Sequence, residues 1–143
     1  MPPRLLLDAT PLSRLCHPRF QADALSWLQP LRIAGCEVFI SAIVDYEVRR
    51  GLLAANMART LTNLDFYRTD FIFCPLLDDD LLEAARLWAD LRRRGLSTAS
   101  PKELDGDAIL AAQANRLNAI VATENLRHLS LMCQARDWRE IKS

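Results

Sequence analysis

Residues 104–123, LDGDAILAAQANRLNAIVAT, place a helix and a buried strand end to end. Apolar positions at Leu110, Ala111 and Ala114 share one helical face, and the pattern predicts a helix over 105–117. Asp105 reads as its N-cap, with Leu104 and Ile109 closing a hydrophobic staple around it. Residues 119–123 then form a continuous apolar run, the signature of a strand covered on both faces. A helix that feeds directly into such a strand is half of a β-α-β unit.

The same alternation extends outward. Residues 4–8, RLLLD, predict a first strand, and Thr10 and Pro11 fit the N-cap and first position of a helix. Residues 21–34 carry a helical stripe at Ala24, Trp27, Leu28, Leu31 and Ala34. Pro30 interrupts it and predicts a kink or two shorter pieces, with Gly35 as the stop. Residues 38–40 read as a second strand, and Ser41 caps a helix to about residue 55. A further helix is expected over 57–68 and a third strand over 71–74. Asp78 to Asp80 supply negative charge where a helix begins, and Leu81, Ala84, Ala85, Trp88 and Leu91 are its expected buried stripe. Arg92 to Arg94 fall in its last turn and Gly95 ends it. Residues 96–103 read as a loop, and residues 138–141 as a fifth strand at the edge. The expected fold is therefore α/β, a three-layer α/β/α arrangement around a parallel sheet of four or five strands, within a single domain over 1–143.

The chain has 143 residues, half of them hydrophobic and 25% charged, with 18 basic and 18 acidic side chains. That is an ordinary globular composition, and the zero net charge excludes a uniformly basic nucleic-acid binder while leaving local patches open. Cys16, Cys36, Cys74 and Cys133 form no C-x-x-C pair and read as buried free thiols, not as a zinc site or disulfide framework. No run reaches the ~18 apolar residues of a membrane span, and no signal-peptide pattern opens the chain. A cytosolic protein is expected.

Chemistry enters through acids at the edges of these elements. In open parallel sheets, sites form beyond the carboxyl ends of the strands. Asp8 ends the first strand, and Thr123 and Asn125 follow the fourth, so they become neighbours if those strands are adjacent. Asp107 shares the core-facing side of its helix with Leu110, Ala111 and Ala114, and a carboxylate there needs a partner. Glu47 lies one turn before Gly51, whose absent side chain leaves room for a ligand or for close packing of a neighbouring helix. Each acid also has a plain structural use: Asp8 as a turn cap, Glu47 as a surface residue, Asp105 and Asp107 as dipole partners. Brought together with no lysine nearby, Asp8, Glu47 and Asp107 ask for a hard divalent cation, Mg²⁺ or Mn²⁺. Arg49, Arg50, Arg92, Arg93, Arg94 and Arg127 are candidate phosphate contacts. His128 reads as a general base, a phosphate contact or a surface residue.

In order and spacing these blocks resemble the PIN domain: the strand ending in Asp8 with Thr10 two residues on, Ser41 to Glu47 to Gly51, DAILAAQA at Asp107, and ATENLRHL after the fourth strand. More narrowly, the chain is similar to the VapC-type toxin ribonucleases of VapBC toxin–antitoxin pairs. The resemblance implies a metal-dependent endoribonuclease cutting RNA phosphodiester bonds. It implies metal ligands at Asp8, Glu47 and Asp107, a fourth catalytic position at Asn125, and supporting hydroxyls at Thr10 and Thr123. It also implies a small antitoxin partner and a homodimer. Asn125 stands where many members carry a fourth acid, and His128 where many carry Asp. Two other readings compete. One is a non-catalytic module that keeps the fold and binds nucleic acid or protein. The other is a phosphotransfer domain with Asp8 as nucleophile, which wants a second Asp where Thr10 stands.

Overall fold

Three consecutive leucines, Leu5, Leu6 and Leu7, are completely buried, so the strand they form has no solvent face. That strand, β1 (Arg4–Leu7), is the middle of the sheet in the computed structural model, which describes residues 2–96 and 100–143. The chain continues through α1 (Ala9–Cys16), α2 (Gln21–Ile33), β2 (Glu37–Ser41), α3 (Ala42–Ala54), α4 (Ala58–Asp70), β3 (Ile72–Cys74) and α5 (Asp78–Arg93). It ends with α6 (Pro101–Leu117), β4 (Ala119–Thr123), α7 (Leu126–Met132), β5 (Ala135–Asp137) and a 3₁₀ turn at Trp138–Glu140. The described strands form one parallel sheet in the order β3-β2-β1-β4-β5, flanked by helices in three layers. Among the described residues no helix is long and apolar enough to cross a membrane.

The strand order places a topological switch beside β1. The chain runs from β1 outward through β2 to β3, then returns to the other side of β1 as β4. Leu7 pairs with Ile40 of β2 and with Ala122 of β4, so Asp8 and Thr123 emerge side by side. The Asp8 N–H donates to the Ala122 carbonyl at 3.0 Å and extends that pairing by one residue. Crevices outside the carboxyl ends of strands open at such a switch.

Several element boundaries differ from the sequence reading. Asp8, not Thr10, is the N-cap of α1. Pro30 does not divide α2, which runs unbroken through residue 33. Leu28 and Leu31, on either side of Pro30, are both 1% exposed, and their burial offsets the backbone hydrogen bond that proline removes. α6 begins at Pro101, a turn earlier than expected, with Ser100 accepting from the Glu103 N–H. The S-P-x-E spacing is the start signal there, and Asp105 is an interior helical residue, not a cap. Of the loop expected over 96–103, residues 97–99 lie outside the described residues and 101–103 are helical. The edge strand is 135–137, because the Asp137 side chain accepts from the Arg139 N–H and turns the chain into the 3₁₀ segment. α7 was not legible as an element. In α5, Leu81 is 45% exposed and the inward position is Asp80, 1% exposed.

Asp80 and Gln113 tie the layers together. Arg116 of α6 donates two bonds to Asp80, at 2.8 and 3.0 Å, and the Asp80 carboxylate also accepts from the Leu77 N–H. Burial by itself would raise the Asp80 pKa, but Arg116 and that N–H outweigh it and hold it below the usual range. The buried Gln113 accepts from the Ser41 hydroxyl and donates to the carbonyls of Cys74 and Pro75, so one side chain of α6 joins the ends of β2 and β3. Ser41 also caps α3 by accepting from the Ile43 N–H. Asp80 is buried while Arg116 is partly exposed, so removing the guanidinium strands a buried charge. Arg116→Ala is expected to lower the unfolding free energy by about 3 kcal/mol in urea denaturation at pH 7.

Candidate functional site

Asp8 is held by two donors. Its Oδ1 accepts the Ala9 N–H at 2.8 Å, and its Oδ2 accepts the Thr123 hydroxyl at 2.7 Å. The Thr123 oxygen in turn accepts the Asn125 N–H at 2.9 Å. Thr123 is therefore a supporting hydroxyl, as its position beside the switch implies. Thr10 is not placed that way. It lines a separate groove with Ser13, Arg14, His17 and Phe20 between α1, α3 and α4.

Glu47 on α3 and Asp107 on α6 are half-buried and approach the same region. The Asp107 carboxyl is pushed up to about 7, first by burial and then by the charges of Asp8, Glu47 and Glu103. Glu47 is raised by burial and by Asp8, with Arg50 partly opposing. Asp107 and Glu47 both feel the charge of Asp8, and Asp107 also that of Glu103, which the sequence reading assigns to a loop. Its signal was the i, i+4 spacing to Asp107 once the helix is started at Ser100. Two adjoining clefts share Glu47, Glu103 and Asp107. One, about 490 Å³, adds Asn125, Arg127 and His128; the other, about 500 Å³, adds Tyr46, Arg50, Lys102, Asp105 and Gly106.

All the donors in this acid set are oxygens, and their mutual repulsion is what a hard cation relieves. That chemistry fits a divalent ion. Among the described residues, however, no group of three or more His, Cys, Asp or Glu side chains is drawn together as a metal site. Both oxygens of Asp8 are engaged by the protein itself.

The glycine that gives Glu47 its room is not Gly51. A Cβ on Gly51 would meet nothing within 4 Å, whereas one on Gly106 would stand 3.0 Å from Glu47 Oε1. Of the basic candidates, Arg49 is committed to Asp45 at 3.0 and 3.2 Å and to Asp65 at 2.8 Å, so it braces α3 against α4 and does not reach the clefts. Arg93 and Arg94 pair with Asp90, and Arg92 lies over the Trp88 ring; these three end α5 and line neither cleft. Arg50 stacks over the exposed Tyr46 ring at 5.1 Å and lines the same cleft as Lys102. Arg127 is exposed at the cleft with Asn125 and His128. His128 is only 6% exposed, with its Nδ1 buried and unpartnered among the described residues, which removes the reading as a surface residue.

No family model matches the chain, and no curated protein matches it. Its fold is shared with solved structures. It is similar to a chain of VapBC2 from Rickettsia felis bound to a DNA fragment from their promoter, with TM-score 0.76 and 16% identity over 93% of this chain and 97% of that one. It is similar to FitAcB from Neisseria gonorrhoeae, with TM-score 0.71 and 20% identity over 96% and 99%. It is likewise similar to VapBC-1 from nontypeable Haemophilus influenzae, with TM-score 0.71 and 19% identity over 96% and 99%. The architecture is the PIN-like one that the sequence resemblance implied.

The raised acids set a direction for pH. Asp107 binds its proton more tightly folded than unfolded, so its contribution to stability is complete below about pH 4 and is lost as pH rises through about 7. With chelator present, the protein is expected to be more stable at pH 5 than at pH 8. Asp107→Asn is expected to flatten that slope and to stabilise at pH 8 by roughly 1–2 kcal/mol, solvent screening included, as read by urea denaturation across pH.

Proposed function

We propose that this chain is a Mg²⁺- or Mn²⁺-dependent endoribonuclease and the toxin of a toxin–antitoxin pair. The observation that carries the reading is the convergence of Glu47, Glu103 and Asp107 on two adjoining clefts near the carboxyl ends of β1 and β4, where burial first and then the charges of Asp8, Glu47 and Glu103 raise Asp107. A protein gains nothing in stability from carboxylates crowded without a cation, so the crowding points to use. The similarity in fold to the VapBC and FitAcB structures supports the toxin–antitoxin part.

In this mechanism Asp8, Asp107 and Glu47 are the residues that would hold the ion. When bound, a hard divalent ion supplies electrostatic stabilisation of a phosphodiester under attack and a water of lowered pKa. The protein's own groups do the rest. The Thr123 hydroxyl and the Ala9 N–H fix the Asp8 carboxylate at the rim of the sheet, and Ala9 N–H directs the positive end of α1 toward it. The Ser41–Gln113 bond sets α3 against α6, which keeps Glu47 facing Asp107. Asn125 offers an uncharged amide at the cleft mouth, where Arg127 and Arg50 attract phosphates from either side. Hydrolysis in this manner leaves a 5′-phosphate and a 3′-hydroxyl.

Asp8→Asn is a suitable test because asparagine caps a helix as well as aspartate does. Asp8→Asn and Asp107→Asn are each expected to lower Mg²⁺-dependent cleavage of a single-stranded RNA by at least about a hundredfold while the protein stays folded. Either variant cutting RNA as fast as the parent would show that the site is misassigned. Co-expression with a small protein encoded in the adjacent reading frame is expected to relieve growth arrest caused by the parent.

The second reading is a PIN-fold module that binds nucleic acid or protein without cleaving. It is favoured by the uncharged Asn125 and by the finding that, among the described residues, no three acids are grouped closely enough to ligate an ion. Calorimetric titration with Mn²⁺ discriminates, since the nuclease takes up the ion and the module has no need of it.

A further inference from the structure

Gly106 is the sixth residue of the helix α6, in the interior of the element, where glycine is a poor helix former. Its backbone gives no reason for a glycine. The described glycines with positive φ are Gly35 and Gly95, so Gly106 has a conformation open to any residue. The reason lies in space. The three nearest heavy atoms to a Cβ built at this position are Glu47 Oε1 at 3.0 Å, Cδ at 3.8 Å and Oε2 at 4.0 Å. All three belong to one carboxyl group on α3. Backbone packing of α3 against α6 would have put main-chain atoms there instead. Gly51, on α3 itself, supplies the contrast: its Cβ would enter open space, so an alanine there disturbs nothing.

We infer that Gly106 is a positioning residue: the volume of its missing side chain is the seat in which the Glu47 carboxylate lies inside the acid cleft. The contact is with the flexible end of Glu47, so an added methyl group displaces the carboxylate and leaves the helices in place. The immediate neighbour in sequence is Asp107, so the seat holds one acid beside the next. This role rests on the nuclease reading, because the placement of Glu47 matters to function only if the cleft takes up a cation.

The experiment compares Gly106→Ala with Gly51→Ala, each in the full chain. Both replacements favour helix, and both are expected to raise the thermal midpoint by roughly 2–4 °C. Only Gly106→Ala is expected to weaken Mn²⁺ binding by calorimetry, by about tenfold, to lower RNA cleavage in proportion, and to shift the ¹³C resonance of the Glu47 carboxyl. Glu47→Asp shortens the acid by one methylene and withdraws it from the seat. In that background, adding Gly106→Ala is expected to change Mn²⁺ affinity by less than about twofold, since coupled residues are not additive. A Gly106→Ala protein that binds Mn²⁺ as tightly as the parent overturns the inference, as does an unmoved Glu47 resonance. A parent that takes up no Mn²⁺ overturns the nuclease reading first and this role with it, a result distinguishable because it appears before any substitution is made.

Discussion

The parallel pairing of β1 with β4 is the constraint on which the site depends. Those strands are separated by more than a hundred residues of chain, yet Leu7 opposes Ala122 and the next residues, Asp8 and Thr123, are joined by a hydrogen bond of 2.7 Å. Return of the chain to β1 after β3 opens the crevice, and the helices that precede and follow β4 fill its walls with Asp107, Glu103, Asn125 and His128. Had β4 been added beyond β3, Asp8 would keep its cap on α1 but lose the Thr123 hydroxyl. The core supports this order. β1 is sealed on both faces by leucine, and displacing such a strand exposes side chains worth about 2 kcal/mol each.

Electrostatics at this point oppose folding. Burial and mutual repulsion raise Asp107 and Glu47, so without a cation the folded state is penalised as these groups ionise. The rest of the charge distribution is arranged in the opposite sense. Asp80 has Arg116, and Asp45 has Arg49 and Arg68, each buried acid satisfied by guanidinium groups at ordinary distances. The same chain therefore contains two kinds of buried carboxylate, one neutralised within the protein and one left for something else. That contrast, more than the number of acids, separates the site from the scaffold.

The first four strands and most of the helices were legible in the sequence because they follow from local patterns, short apolar runs with helical stripes between them, whereas the order β3-β2-β1-β4-β5 is a tertiary fact that the sequence reading held only as a condition. Ser41 announced α3 correctly. The failures have a common cause. Arg49 sits two residues from Glu47 and reads as a phosphate contact, but it is committed to Asp45, an i,i+4 partner that spacing offers, and to Asp65 on a different helix, which spacing does not. Thr10 and Thr123 looked equivalent, and only the adjacency of β1 and β4 selects Thr123. Starting α6 at Asp105 hid Glu103 in a supposed loop, although the S-P-x-E signal was present. At the start of α5 the exposed Leu81 and buried Asp80 depart from the expected stripe, where a salt bridge to α6 outweighs hydrophobic periodicity, while Ala84 and Leu91 of that stripe are buried.

The two helical glycines carry this lesson furthest. From sequence, Gly51 is the one that matters, because it lies one turn from Glu47 on the same helix. In space it faces nothing, and the residue that accommodates Glu47 comes from α6, some sixty positions later. A glycine's meaning is set by what occupies the place of its side chain, and that occupant is a tertiary fact. The helix α6 accepts a weak residue at 106 beside an acid at 107 that is itself destabilised, so two consecutive positions of one helix work against the fold. The first cost is local, a glycine inside a helix, and the second is tertiary, a carboxyl raised by burial and by neighbouring acids.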